Sequence, residues 1–146
     1  MAPTTQKLKN KALVLSQLLA RMRAADDEGY CQCVSCGTNK HYKDMAGGHF
    51  IPKGASSYHA LRLNECEEYG SNIHSQCHGC NSFGMVHGVA AQNYTLWMED
   101  KYGKEKVEKM LADRRKLAKR YKGEMLDLIA ELNEEIKSQK ERLGEA

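Results

Sequence analysis

Apolar residues recur at helical spacing near both ends of the chain and lose that period in the middle. Leu8, Ala12, Leu15, Leu19 and Met22 follow one another at intervals of three and four, which predicts an amphipathic helix over residues 4–25. Thr4 or Thr5 supplies its N-cap, Val14 and Leu18 widen the apolar stripe, and Lys7, Lys9, Lys11, Arg21 and Arg23 give it a basic outer side. Beyond an interruption at Gly84–Gly88, residues 89–102 read as a helix carrying Tyr94, Trp97 and Met98, which Gly103 breaks. Helical spacing resumes at Lys104 and runs through Val107, Met110, Leu111, Leu117 and Tyr121, then Met125, Leu128, Leu132 and Ile136, until Gln139 interrupts it before Leu143. The last stretch has the spacing of a short coiled-coil seam. It either folds back on the first helix or pairs two copies of the chain as a homodimer.

The middle reads differently. Residues 38–51 predict a two-stranded hairpin, Leu61–Leu63 a further short strand, and the segments after Pro52 and Asn64 loops. A helix is expected to begin near Cys80 or Asn81. Residues 31–91 are rich in Gly, Cys and His and hold few long aliphatic side chains. Such a segment cannot build a large core, so a metal is expected to hold it. The chain divides on this reading into an N-terminal helix (1–29), a central core (30–112) and a basic-then-acidic helical tail (113–146).

Cysteine spacing says how the core is held. Cys33-Val-Ser-Cys36-Gly37 and Cys77-His-Gly-Cys80-Asn81 are two CxxC pairs about forty residues apart, the pattern of a four-thiolate zinc site. Four protein ligands leave no position for water, so such a zinc is structural. Cys31-x-Cys33 offers an alternative chelating register, but the CxxC reading mirrors the second pair and is preferred; Cys31 and Cys66 are then left over. Six cysteines also admit disulfides. Residues 1–7 carry no apolar signal region and no apolar run approaches the roughly 18 residues of a membrane span, so a cytoplasmic, metal-binding chain is expected. A knuckle, a hairpin and a second knuckle at a helix start describe an α+β fold: a small zinc-stabilised treble-clef core flanked by N- and C-terminal helices.

Charge points to the partner. Net charge is only +3, yet residues 101–123 hold ten Lys/Arg against three Asp/Glu, and residues 124–146 three against seven. Arg114, Arg115, Lys116, Lys119, Arg120 and Lys122 put six positive charges in nine residues, a candidate phosphate-contacting helix face. Lys53 and Arg62 lie closer to the central motif and could position a phosphate. Within that motif, His49, Asn72, His74 and Asn81 are the candidate reactive residues. A histidine at a strand end can take a proton from water, and a nearby divalent ion can steady the phosphate under attack.

Cys33-x-x-Cys36-Gly37, Gly48-His49-Phe50, Leu61-Arg62-Leu63-Asn64-Glu65 and Asn72-Ile-His74-Ser-Gln-Cys77-x-x-Cys80-Asn81 together resemble the phage lambda NinG (Rap) recombination proteins, within the broader HNH/treble-clef (ββα-metal) nucleases. The resemblance covers roughly residues 30–112. It implies a Mg2+- or Mn2+-dependent endonuclease, phage-encoded and working in the bacterial host cytoplasm, that cuts branched DNA such as Holliday junctions and D-loops. His49 then matches the general base and Asn72 the asparagine that orients it or its loop. Asn81 falls near the last H/N position of the pattern, and His74, with His49 itself, is a candidate ligand of the catalytic ion. Gly48 departs from the pattern, because many HNH enzymes carry Asp or His there; Asp44 and His87 are the substitutes on offer. The alternative reading is a non-catalytic zinc module that binds DNA as a recombination accessory.

Overall fold

The computed structural model describes residues 4–53, 70–116 and 122–145. The first helix, α1, spans Thr5–Ala24, and the Thr4 hydroxyl caps it by accepting the Lys7 N–H at 3.2 Å. Two antiparallel strand pairs follow. β1 (Tyr30–Gln32) pairs with β2 (Asn39–His41), and β3 (Ala46–His49) with β4 (Ile73–Gln76). The hairpin expected within residues 38–51 is therefore replaced by two pairings with other segments. The reason is local. Gly37, at φ 76°, turns the chain so that the Cys33 N–H meets the Thr38 carbonyl at 2.9 Å and β1 and β2 close on each other. A 3-10 turn at Tyr42–Asp44, anchored by buried Tyr42, then redirects the chain into β3.

After β4 the chain enters a π-helical turn, Cys80–Gly84, and a helical turn, Met85–His87. Helix α2 (Ala90–Tyr102) ends at Gly103, whose φ of 92° suits glycine, and α3 spans Lys104–Asp113. The helix expected to run on to Tyr121 stops at Asp113. Asp113–Lys116 offers no apolar side chain to bury, and the Arg114 N–H bonds back to the Leu111 carbonyl. The last helix, α4, spans Lys122–Arg142.

Two apolar clusters hold these elements. In the first, Leu8, Ala12, Leu19 and Met22 of α1 meet Met125, Leu128, Leu132 and Ile136 of α4, and the cluster extends to Cys31, Tyr42 and Met45. The α4 stripe that could have made a seam between copies is thus buried against α1 of the same chain. Because that core includes the central segment, the terminal helices are built onto it rather than carried as separate arms. The second cluster packs Phe50 and Ile51 against Tyr94, Met98, Val107 and Met110. Two residues of α1 depart from expectation: Val14 is 62% exposed, off the stripe, and Arg21 is not on the outer side. Arg21 sends its guanidinium to the Tyr42 and Met45 carbonyls at 3.3 and 3.0 Å, fastening α1 to the 3-10 turn. Among the described residues no helix is long and apolar enough to cross a membrane.

Candidate functional site

The four cysteines of the two CxxC pairs converge. The thiols of Cys33, Cys36, Cys77 and Cys80 all lie within 4.8 Å of one another, and Cys36 and Cys77 are 3.8 Å apart. A tetrahedral ion with Zn–S bonds of about 2.3 Å would set its sulfurs about 3.8 Å apart, so the donor set fits zinc. The backbone is arranged for thiolates. The Ser35 and Cys36 N–H groups point at Cys33 Sγ, and the Cys80 N–H at Cys77 Sγ, each at 3.4 Å. Burial by itself would raise the Cys33 thiol; N–H groups of Cys77, Cys36 and Ser35 outweigh it and bring the pKa down to about 7. Burial and the neighbouring thiols push Cys80 up. Cys31 is outside the cluster. Strand alternation turns it into the core, where burial raises its pKa, which settles the metal register on the CxxC pairs.

The remaining candidates are distributed by the register of β3 on β4. Gly48 opposes His74 and His49 opposes Ile73, so His49 and His74 point to opposite faces of the strand pair. Gly47 marks the His49 face: a Cβ there would sit 2.7 Å from Gln17 Cβ, so α1 lies directly on it. His49 itself is 6% exposed. The other face carries Gly48, Phe50, His74 and Gln76 and is covered by α2.

On that second face His74 is enclosed by aromatic side chains. Its Nδ1 lies 2.9 Å from the Tyr94 hydroxyl and its Nε2 2.8 Å from that of Tyr102. Tyr94 donates its one proton to the Gly48 carbonyl at 2.7 Å, so it accepts from Nδ1–H, and Tyr102 donates to Nε2. The relay requires a neutral imidazole. Burial, with Lys101 adding to it, pulls the His74 pKa down to about 3, in agreement. Both ring nitrogens expected to hold a catalytic ion are thus engaged by phenols.

Asn72 is fully buried and its side chain grips Ile51, two residues after His49. Its Oδ1 accepts the Ile51 N–H at 2.9 Å, and its Nδ2 donates to the Ile51 carbonyl at 3.1 Å. Asn81 is exposed on the π-helical turn, its backbone N–H on the Cys77 carbonyl. Asp44 is exposed in the 3-10 turn at the start of β3, whereas His49 ends that strand, which is about 10 Å long. His87 is also exposed, against the Phe83 ring. Asp44, His49 and His74 are therefore not brought together. Among the described residues, the group of three or more His, Cys, Asp or Glu placed to share an ion is the cysteine cluster.

Gly48, where a ligand was looked for, has a steric explanation. A Cβ there would fall 1.9 Å from Gln76 Oε1, and within 2.9 Å of two further atoms of that side chain. Gln76 is itself fully buried and bonded through Nε2 to Ser35 Oγ, which donates to the Ala90 carbonyl. Glycine is what lets this buried link from the first knuckle to α2 pass over β3.

Of the candidate phosphate contacts, Lys53, Arg115 and Lys116 are exposed and Arg114 is half-buried, its guanidinium on the Leu111 carbonyl. Arg62, Lys119 and Arg120 fall outside the described residues, as do Cys66 and the strand expected at Leu61–Leu63. Sequence reasoning missed Tyr94, Tyr102 and Gln76. The eight-residue spacing of the two tyrosines on one helix was the available signal, since it sets them on one face.

No curated protein and no solved structure matches the chain. One family model does, that described as bacteriophage lambda NinG protein, over residues 5–142. That span takes in α1 and α4, well beyond the 30–112 stretch on which the resemblance was first read. The chain belongs to the bacteriophage lambda NinG protein family.

Proposed function

We propose that the protein is a zinc-stabilised DNA endonuclease of phage recombination, with an HNH-like treble-clef core, acting on branched intermediates such as Holliday junctions and D-loops. The observation that carries this is the end of β3. His49 stands there with the next peptides held at both N–H and C=O of Ile51 by the buried Asn72 side chain. A general base needs such fixed geometry, because positioning supplies much of the rate in phosphodiester hydrolysis. In this scheme neutral His49 takes a proton from water, the hydroxide attacks phosphorus, and the 3′-oxygen departs and is protonated by solvent. The zinc takes no part; Cys33, Cys36, Cys77 and Cys80 would hold it to fix the two knuckles about the strand pair.

Lys53, Arg62, Arg114, Arg115, Lys116, Lys119 and Arg120 are the proposed contacts to the DNA backbone, and Asn81, exposed beside the second knuckle, is the proposed catalytic residue at the last H/N position of the pattern. The nuclease reading also calls for Mg2+ or Mn2+. The expected ligands Asp44, His49 and His74 do not fit one ion: Asp44 and His49 stand at opposite ends of β3, His49 and His74 face opposite sides of the strand pair, and both His74 ring nitrogens are engaged by tyrosine hydroxyls.

The test is cleavage of a synthetic four-way junction with Mg2+ or Mn2+, comparing wild type with His49→Asn. Loss of cutting by roughly 100-fold or more, with zinc content unchanged, is expected of a lost general base. Equal activity in the variant sinks the assignment. The second reading, a non-catalytic DNA-binding accessory module, is favoured by the 6% exposure of His49. It predicts tight, salt-sensitive junction binding and no cutting with any divalent ion.

A further inference from the structure

An open cleft of about 880 Å³ runs along the β4 edge between the C-terminal end of α1, β1 and α2. None of the residues assigned to the reaction uses it except His74, which forms part of its wall. Its floor includes small side chains of α1 and the backbone of β4. Tyr30, 45% exposed, comes from the β1 side, and Trp97 and Tyr102 from α2. Arg23 and Lys101, both exposed, stand at the rim. Asp26 also lines it, but its carboxylate already accepts the N–H groups of Glu28 and Tyr30 at 3.0 Å each. Arg23 shares a surface ion pair with Glu135 at 2.6 Å, both side chains about half exposed, which a phosphate can displace at little cost.

The aromatic wall is held in place from behind. His74 stacks its ring edge on Trp97 at 4.6 Å between centroids and accepts the Tyr102 hydroxyl at 2.8 Å. The Trp97 and Tyr102 rings stand at 79° to each other, 6.4 Å between centroids, so Trp97 offers a ring face fixed in advance beside two cations, which matches the chemistry of a nucleobase with its flanking phosphates. We propose that this cleft binds an unpaired segment of single-stranded DNA, one base stacking against Trp97 on the α2 side and a neighbouring base against exposed Tyr30 on the β1 side, with the adjoining phosphates meeting Lys101 and Arg23. His74, read from sequence as a metal ligand, is on this account the positioning residue of that wall. The proposal rests on the reading of the chain as a DNA-acting protein, though not on its being catalytic.

Trp97 is the chain's one tryptophan, so its fluorescence reports directly on the cleft. The zinc-loaded protein would be titrated with a short deoxythymidine oligomer, without added Mg2+ or Mn2+ so that nothing is cut. Saturable quenching is expected, with a blunt duplex of equal length and free thymidine monophosphate binding far more weakly. Tyr30→Ala should weaken binding roughly 5- to 100-fold, the range for one lost stacking surface. Lys101→Ala should reduce the slope of log K against log salt by about 0.7, one phosphate contact on a single strand. Both positions are exposed, and unchanged melting temperatures would show that neither variant has lost its fold. Oligomer binding without a Trp97 response, equal affinity for the duplex, binding by the mononucleotide alone, or indifference to both substitutions would each overturn the proposal. Quenching with no junction ever cut would leave the cleft standing and remove the nuclease; cutting without quenching would do the reverse.

Discussion

A single methyl group measures how closely β3 is enclosed. Gly47 meets the backbone and Cβ of Gln17 on one face, and Gly48 meets Gln76 on the other, so the Gly47–Gly48 pair is a spacer between α1 and a buried glutamine. Gly48→Ala should destabilise the protein by about 1–3 kcal/mol, the range for an overpacked interior. Most of the clash is with one side chain. The double variant with Gln76→Ala should therefore recover part of the loss despite removing the hydrogen bond from Gln76 Nε2 to Ser35 Oγ. Thermal melts of the three proteins check this, and a double variant no better than Gly48→Ala would refute the steric account. The same residues show the limits of sequence. His49 and Asn72 could be singled out by type and spacing, but that Gly48 is forced by Gln76 depends on a pairing across more than twenty residues.

At the scale of elements, α1 and α4 are joined by more than their apolar stripes. Arg142, near the end of α4, donates to the Met22 and Ala25 carbonyls at 2.8 and 3.0 Å and to Asp27 at 3.1 Å. It thereby adds a charged donor to carbonyls at the C-terminal end of α1, where a cation is also favoured. Just beyond, the Glu145 carboxylate accepts the Tyr42 hydroxyl at 2.6 Å and pairs with Lys43 at 3.1 Å. Arg142→Ala should cost about 1 kcal/mol, discounted because the side chain is about one-third exposed. Leu132→Ala, which opens a cavity in the helix–helix core, should cost about 2–4 kcal/mol. Denaturant titration would distinguish them, and a larger loss from Arg142→Ala than from Leu132→Ala would mean that the clamp, rather than the apolar stripe, holds the two helices. Heptad-like spacing made both stripes legible from sequence; it could not say whether α4 would close on α1 or on a second chain.

At the scale of the molecule, the cysteine cluster binds together segments with little apolar area of their own. Cys77 and Cys80 pack against the first core, and Cys33 belongs to it, so loss of a metal is expected to loosen that core on the side of the knuckles, while the apolar stripes of α1 and α4 still hold each other. The wild-type chain should carry one zinc. Cys36→Ser removes the most exposed of the four clustered thiols and should lower zinc content below stoichiometry while leaving the α1–α4 helical signal largely in place. Elemental analysis beside circular dichroism checks this; full zinc retention by Cys36→Ser, or collapse of all helical signal on chelation, would contradict it. The Cys33 pKa of about 7 also implies that zinc uptake near neutral pH releases protons chiefly from the other thiols.

Sequence by itself determined the four cysteines that cluster, the terminal helices with their buried stripes, a threonine cap at Thr4 or Thr5 and the break at Gly103. These follow from short-range spacing or from ligand chemistry that needs no knowledge of neighbours. Only the tertiary structure decided which strands pair, and with that which way each histidine points. Side chains alternate along a strand, so their direction is set by the register of β3 on β4. That register comes from non-local contacts with α1 and α2, on which nearby residues are silent. This is why His49 and His74, equivalent as candidates in the sequence, part company in the fold: one lies on the α1 face at a strand end, and the other anchors an aromatic wall.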